Sequence, residues 1–182
     1  MTSSRFALLT LVLITMTGCG DGGNKNPSTG NPASASTGSL PDGLIVATKI
    51  EGSKSITELK KDAKEGDEVI LRGVVGGDVK PFVANRAMVS VIDYAVVSCK
   101  DNGEECPTPW DYCCTPQDEL TKGRATIQVV GSDGHPLKVA LDAGQKIKPY
   151  DVIVVRGKVG PRPVADVLTI NATAIHVEGA KN

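Results

Sequence analysis

Two stretches of this chain repeat one design, and they constrain its fold more than any other feature. Residues 67–76 read DEVILRGVVG and residues 151–160 read DVIVVRGKVG, with Asp, Arg, Gly, Val and Gly at matched positions. Each stretch carries an internal glycine, Gly73 or Gly157, and a glycine inside a strand marks a bulge or a sharp bend. A small closed barrel requires strongly curved strands. The repeat therefore predicts two curved strands, one near each end of a single barrel.

The rest of the domain supplies further strands and one helix. Runs rich in Val, Ile and Thr, separated by turn signals, predict three more strands at residues 88–93, 125–130 and 167–177. Residues 44–50 fit a short lead-in strand. Ser55 and Glu58 match a capping box, and Gly66 is placed to end the helix predicted over residues 56–64. The sequence thus predicts an all-β chain with five main strands and one short N-terminal helix.

These strands resemble the OB-fold, in particular bacterial single-domain OB proteins. The first begins GDEV, the second ends in Asp93, the fourth reads VIVVRGKVG and the fifth begins with small polar residues. The resemblance spans residues 66–177 and implies a five-stranded Greek-key barrel in which residues 67–76 pair with residues 151–160. An immunoglobulin-like sandwich needs about seven strands and a core tryptophan between two distant cysteines. Trp110 lies inside a cysteine cluster instead.

The first 18 residues follow the pattern of a secretory signal. The apolar run at residues 6–16 is too short to span a bilayer as a helix, which needs about 20 residues. Residues 16–19, MTGC, resemble the lipobox of bacterial lipoproteins, which implies that Cys19 carries acyl chains and anchors the protein to the membrane on the extracytoplasmic side. An ordinary cleaved signal is the alternative. Gly20, rather than an aspartate, follows Cys19, which favours the outer membrane over the inner one.

The chain then divides into a tether and one domain. Residues 20–43 contain no aromatic residue and a single leucine, a composition typical of a flexible spacer. We therefore expect a signal at 1–18, a tether at 19–43 and a barrel domain at 44–179, with an insertion at 94–123 between the second and third strands.

The insertion holds four of the five cysteines, at Cys99, Cys106, Cys113 and Cys114. In an oxidising compartment such a set most often forms two disulfides, for which three pairings exist. The alternative is a thiolate site for zinc or Cu(I), since soft metals prefer sulfur. The spacing C-x6-C-x6-C-C argues against zinc, because structural zinc sites favour ligands two to four residues apart. A vicinal redox switch is a third possibility, although no C-x-x-C motif supports it.

Composition and motifs exclude several function classes. A net charge of −1 and a pI near 6.1 argue against nucleic-acid binding, which normally needs a basic domain. The chain has no nucleophile elbow, no H-E-x-x-H motif and no phosphate-binding glycine loop. We therefore expect no catalysis and no cofactor.

What remains is a binding role for the insertion. Trp110 and Tyr112, with Pro107 and Pro109, are expected to form a rigid aromatic patch that contacts an unknown protein or glycan of the cell envelope. The alternative functions are a thiolate metal carrier or sensor and a periplasmic chaperone. Binding of oligonucleotides or oligosaccharides is a minor alternative that rests on the fold alone.

Overall fold

The computed structural model describes residues 39–182, so the predicted signal, Cys19 and most of the tether lie outside the described residues. The elements in chain order are β1 Ile45–Val46, α1 Ile56–Asp62, β2 Glu68–Val75, β3 Met88–Asp93, a 3-10 helix at Pro109–Asp111, α2 Gln117–Gly123, β4 Arg124–Gln128, β5 Asp151–Val159 and β6 Thr169–Ala180. Within this part of the chain no helix has the length and apolar character needed to cross a membrane.

Strands β2 to β6 close into a barrel. Their order is β6-β4-β3-β2-β5, and β5 pairs back onto β6 to complete the circle. The β4–β6 pair is parallel, whereas the other barrel pairs are antiparallel. Strand β1 adds two residues alongside β6. The five-stranded, all-β, OB-like prediction is therefore confirmed.

The two repeated stretches are paired with each other, as predicted. The β2–β5 register places Val69 opposite Gly157 and Gly73 opposite Ile153. At Gly157 the β5–β6 register shifts, and a Cβ there would lie 2.3 Å from the carbonyl oxygen of Asn171. Gly73 differs, because neither pairing of β2 shifts register there. Its Cβ would instead lie 3.0 Å from the Ile92 carbonyl oxygen, so close strand packing accounts for this glycine.

The barrel interior is filled by the alternating side chains of its strands. Its largest fully buried strand residues are Leu71, Ile127, Ile153, Ile170 and Ile175, and Ile56, Leu141, Ile147 and Leu168 join them from outside the strands. None of the four cysteines among residues 39–182 belongs to this cluster. The buried core that the structure describes is therefore aliphatic, with Phe82 packed against it, and it receives no residue from the insertion.

Helix α1 packs Ile56 and Leu59 onto that core. The predicted capping box is present: the Glu58 amide donates to Ser55 Oγ at 3.1 Å, and the Ser55 amide donates to Glu58 Oε2 at 2.9 Å. The helix ends at Asp62, two residues earlier than predicted, because Ala63 adopts extended backbone.

The C-terminal carbonyls of α1 are bound by Arg162. Its guanidinium donates to the Lys60 carbonyl at 2.9 Å and also to the Ala63 carbonyl. A cationic donor at a helix C-terminus satisfies carbonyls that lack intrahelical partners and interacts well with the helix dipole. The loop between β5 and β6 thereby holds the helix in place.

Candidate functional site

The insertion at residues 94–123 is folded onto the outside of the barrel. Val89 and Val91 of β3 point into the core, so Ile92 points outward. Ile92 is fully buried all the same, because it packs against Val96, Tyr112 and Leu120 of the insertion. The insertion therefore covers part of the outer barrel wall.

Tyr112 is the centre of that contact, and its prediction as part of an exposed aromatic patch is wrong. Its side chain has 0% exposure, and its backbone is left-handed, with φ of 56°. The left-handed turn ends the 3-10 helix and directs the ring inward over Ile92. Burial raises the pKa of the Tyr112 hydroxyl well above its usual range. Tyr112 is thus an anchor of the insertion and presents no contact surface.

Trp110 is half-buried and attaches the insertion to β2. Its ring packs against Val74 and Val152 on the outer wall, and its Nε1 donates to the Val79 carbonyl at 3.2 Å. Its own carbonyl accepts from the Gly77 amide at 2.7 Å. A Cβ at Gly76 would lie 2.3 Å from that same carbonyl oxygen, so glycine is required for the approach.

A polar clamp fixes the start of the insertion to the residue after β6. Lys181 Nζ donates to Asp101 Oδ2 at 2.6 Å and to the Val96 carbonyl at 3.0 Å, and its side chain is only 6% exposed. Asp101 also accepts from the amide and the hydroxyl of Ser98, at 2.7 and 2.9 Å. Burial alone would raise the pKa of Asp101, but the hydrogen bonds from Lys181 and Ser98 outweigh it and hold the pKa below its usual range.

The same clamp continues to the start of β5. The Ser98 hydroxyl lies 2.9 Å from the Tyr150 hydroxyl, and the Tyr150 carbonyl accepts from the Lys181 amide at 2.9 Å. Nothing in the sequence pattern pointed to these residues. The partners Lys181 and Asp101 are 80 positions apart, and both belong to residue types that are abundant on any surface.

The four cysteine sulfurs form one connected cluster at the edge of the insertion. The sulfur–sulfur distances are 3.0 Å for Cys99–Cys114, 3.4 Å for Cys99–Cys113, 3.7 Å for Cys113–Cys114 and 4.0 Å for Cys106–Cys113. Cys99 is buried, Cys106 half-buried, and Cys113 and Cys114 exposed. All four are free thiols, so the predicted disulfides are not formed in this structure and remain a prediction.

Local turns bring these distant cysteines together. After Cys99 the chain reverses through Gly103, which has φ of 76°, and the Glu104 amide returns to the Cys99 carbonyl at 3.0 Å. Asp111 fixes the other side: its Oδ1 accepts from the Cys113 amide at 2.9 Å. The cluster is therefore positioned by hydrogen bonds of the backbone amides, which do not involve the sulfurs.

Two carboxylates border the sulfurs. Glu104 Oε2 accepts from the Cys114 thiol at 3.0 Å, and a carboxylate oxygen of Asp111 lies within 4.8 Å of the sulfurs of Cys99, Cys106 and Cys113. The hydrogen bond with Cys99 raises the pKa of Cys113 to about 12, and the bond with Glu104 raises the pKa of Cys114 further. A hydrogen bond from Cys114 lowers the pKa of Cys99.

Within residues 39–182, two groups of cysteine and carboxylate side chains are close enough together to hold a metal ion, and both lie in this cluster. One comprises Cys99, Cys106, Asp111 and Cys113, and the other Cys99, Glu104 and Cys114. His135 and His176, the two histidines of the chain, belong to neither.

The remaining predicted contact residues lie on the rim of the insertion. Pro107 and Pro109 line an open pocket of about 460 Å³, whose other lining residues are Lys100, Glu104, Glu105 and Cys106. Charges of both signs and two rigid prolines therefore surround one depression beside the sulfur cluster. Of the predicted patch, Pro107 is exposed, Pro109 and Trp110 are half-buried, and Tyr112 is buried.

No protein-family model, curated protein or solved structure matches this chain, so the site is defined by its own geometry.

Proposed function

We propose that this protein is a lipid-anchored, extracytoplasmic binding module in which the barrel carries the 94–123 insertion as its recognition element. The MTGC sequence at residues 16–19 supports the anchor, and the contrast between the two sides of the insertion supports the recognition role. Its inner side is held by Tyr112, Trp110 and the Lys181–Asp101 clamp, whereas its rim stays accessible. A rigid, exposed loop loses little entropy when it binds, which favours a recognition role.

The rim indicates the chemistry of the partner. Lys100, Glu104 and Glu105 offer one cationic and two anionic groups around the apolar faces of Pro107 and Pro109. Such a mixture fits an envelope protein or glycan that has polar groups of both kinds. A polyanion fits poorly, because the carboxylates would repel it.

Oligonucleotide binding, the fold-based alternative, is disfavoured by the position of the insertion. OB-fold proteins bind oligonucleotides on the face of their second and third strands. In this barrel the second strand is β3, and its outward Ile92 is buried under Tyr112 and Leu120. Part of that face is therefore occupied by the chain itself.

The four cysteines would stiffen the rim in either of two chemical states. Two disulfides would pair Cys99 with Cys114 and Cys106 with Cys113. Of the three possible pairings, this one includes the shortest sulfur–sulfur distance. Each such bridge contributes about 2 to 3 kcal/mol in the chain-entropy view. A bound cation would join the same stretches of chain and is the competing state.

The recognition role is tested by site-specific photo-crosslinking in living cells. A photoreactive side chain at Pro107, on the rim, is expected to give a discrete adduct with an envelope component. The matched control is Val164, which is 59% exposed but lies in the β5–β6 loop. Equal adducts from both positions, or none from Pro107, would contradict the proposal.

The anchor is tested separately. Cells fed a labelled fatty acid should label the wild-type chain, whereas the Cys19→Ala chain should remain unlabelled. Equal labelling of both chains would show that Cys19 is not the acylated residue.

A further inference from the structure

We propose that the four sulfurs of the insertion bind one cation with a filled d shell, Zn²⁺ or Cu(I), as a thiolate site. The inference concerns the cysteine cluster alone. It does not depend on the insertion binding an envelope partner.

The sulfur separations fit a metal better than they fit disulfides. Zinc–sulfur bonds of about 2.3 Å place the sulfurs of a tetrahedral site about 3.8 Å apart. The separations of 3.0, 3.4, 3.7 and 4.0 Å all lie within about 0.8 Å of that value. A disulfide requires about 2.05 Å, so Cys99–Cys114 would have to close by about 1 Å and Cys106–Cys113 by about 2 Å. Four of the six sulfur pairs therefore lie nearer to the spacing of a thiolate site than to that of a disulfide.

The adjacent cysteines do not prevent shared ligation. Neighbouring residues in an extended chain point to opposite sides, so adjacent cysteines can share one ion only where the chain turns. Here Tyr112 is left-handed and Asp111 holds the Cys113 amide, so the sulfurs of Cys113 and Cys114 lie 3.7 Å apart. That separation is close to the edge of a zinc–thiolate tetrahedron.

The chemistry of the donors selects the class of cation. Four sulfur donors favour soft or borderline ions, whereas Mg²⁺ and Ca²⁺ need oxygen ligands. Glu104 and Asp111 lie next to the sulfurs and add negative charge without completing an oxygen cage. Once the thiols have lost their protons to the cation, the negative charge of these carboxylates attracts the bound cation.

The location of the cluster indicates an exchangeable site. Cys113 and Cys114 are exposed, which gives a cation a path from solvent. None of the cysteines that the structure describes lies in the barrel core, so the domain is expected to fold without the cation. The cation can then bind and leave while the domain stays folded, as a metal carrier or sensor requires.

The test begins with the mature protein isolated from membranes without chelator or reductant. Elemental analysis should find one zinc or copper per chain, and which of the two is found identifies the native ion. After chelation all four thiols should react with an alkylating reagent under denaturing conditions. Cobalt(II) added to the apo-protein should give the sulfur-to-metal charge-transfer band of a tetrahedral thiolate site.

Variants separate ligation from folding. Cys106→Ser and Cys113→Ser should each weaken zinc and cobalt binding by at least about tenfold, while far-UV circular dichroism stays that of the wild type. Glu104→Gln should weaken binding by about tenfold. Its matched control, Glu105→Gln, should leave affinity unchanged, because Glu105 belongs to neither candidate ligand group.

Two outcomes would overturn the inference. One is a chain without metal whose four cysteines react only after reduction, which would establish two disulfides. The other is undiminished zinc and cobalt binding by both the Cys106→Ser and Cys113→Ser chains. Neither outcome bears on photo-crosslinking from Pro107, so the two proposals fail independently.

Discussion

Replacing Lys181 by methionine is the sharpest test of how the insertion is attached. Methionine keeps most of the apolar stem but removes the ammonium that binds Asp101 and the Val96 carbonyl. Removing one member of a buried ion pair costs about 3 to 5 kcal/mol, because the other charge is left without a partner. Asp101 keeps 22% side-chain exposure and two bonds from Ser98, so we expect the lower end, about 3 kcal/mol.

Urea denaturation measures this loss directly. With a slope near 2 kcal/mol per molar urea, the midpoint should fall by about 1.5 M. Asp101→Asn should also destabilise the protein, and the double variant should cost less than the sum of the two single changes. The coupling energy expected for groups in direct contact is about 1 to 3 kcal/mol.

The acid dependence of this contribution has a definite sign. The folded-state pKa of Asp101 is depressed, so its stabilisation is present above the ordinary aspartate pKa of about 3.9 and is lost as the pH falls through the folded value. The stability difference between wild type and Lys181→Met should therefore be constant at neutral pH and shrink in acid. A Lys181→Met chain within about 0.5 kcal/mol of wild type at pH 7 would refute the clamp as a stabilising contact.

Three further changes test separate contacts. Gly76→Ala should destabilise the protein by about 2 kcal/mol and shift Trp110 fluorescence, because the new Cβ would lie 2.3 Å from the Trp110 carbonyl oxygen. The control is Gly160→Ala, whose new Cβ would lie 3.5 Å from its nearest neighbour. Equal effects of the two changes would contradict this explanation. Arg162→Ala should lower the free energy of unfolding by about 1.5 to 3 kcal/mol, because its hydrogen bonds to the carbonyls of α1 are lost. The control is Arg156→Ala, at an exposed position, which should stay within about 0.5 kcal/mol of wild type. An Arg162→Ala chain as stable as wild type would show that the helix end needs no such donor. Gly157→Ala should lower stability more than Gly76→Ala, because its Cβ would lie 2.3 Å from the Asn171 carbonyl oxygen, in the strand pairing that closes the barrel. Thermal unfolding followed by circular dichroism compares the stabilities of the two variants.

The barrel was predictable because the patterns that indicate its strands and helix each lie within a short stretch of sequence. Alternating β-branched residues and the repeated glycine identify β2 and β5, and the capping box of Ser55 and Glu58 identifies α1. Helix α2 was missed, because it lacks a side-chain N-cap and Leu120 is its one buried large apolar side chain. A single apolar position gives no helical periodicity to detect.

The site was less predictable because its geometry depends on distant partners. Sequence spacing left three disulfide pairings and a metal site open, and only the turns at Gly103 and Tyr112 bring the sulfurs together. Which aromatic of the insertion is exposed depends on the outer wall of the barrel. Ile92 and Val74 form an apolar surface on that wall, and the amino-acid composition does not indicate which side chains cover it.

The insertion leaves and rejoins the barrel at almost the same place, since Ile92 of β3 pairs with Arg124 of β4. A protein engineer could therefore excise it and connect the two strands by a tight hairpin without altering the barrel register. The shortened chain would expose Ile92, Val74 and Val152 on its outer wall. Such a patch promotes self-association, so a soluble minimal barrel would need polar substitutions at those three positions.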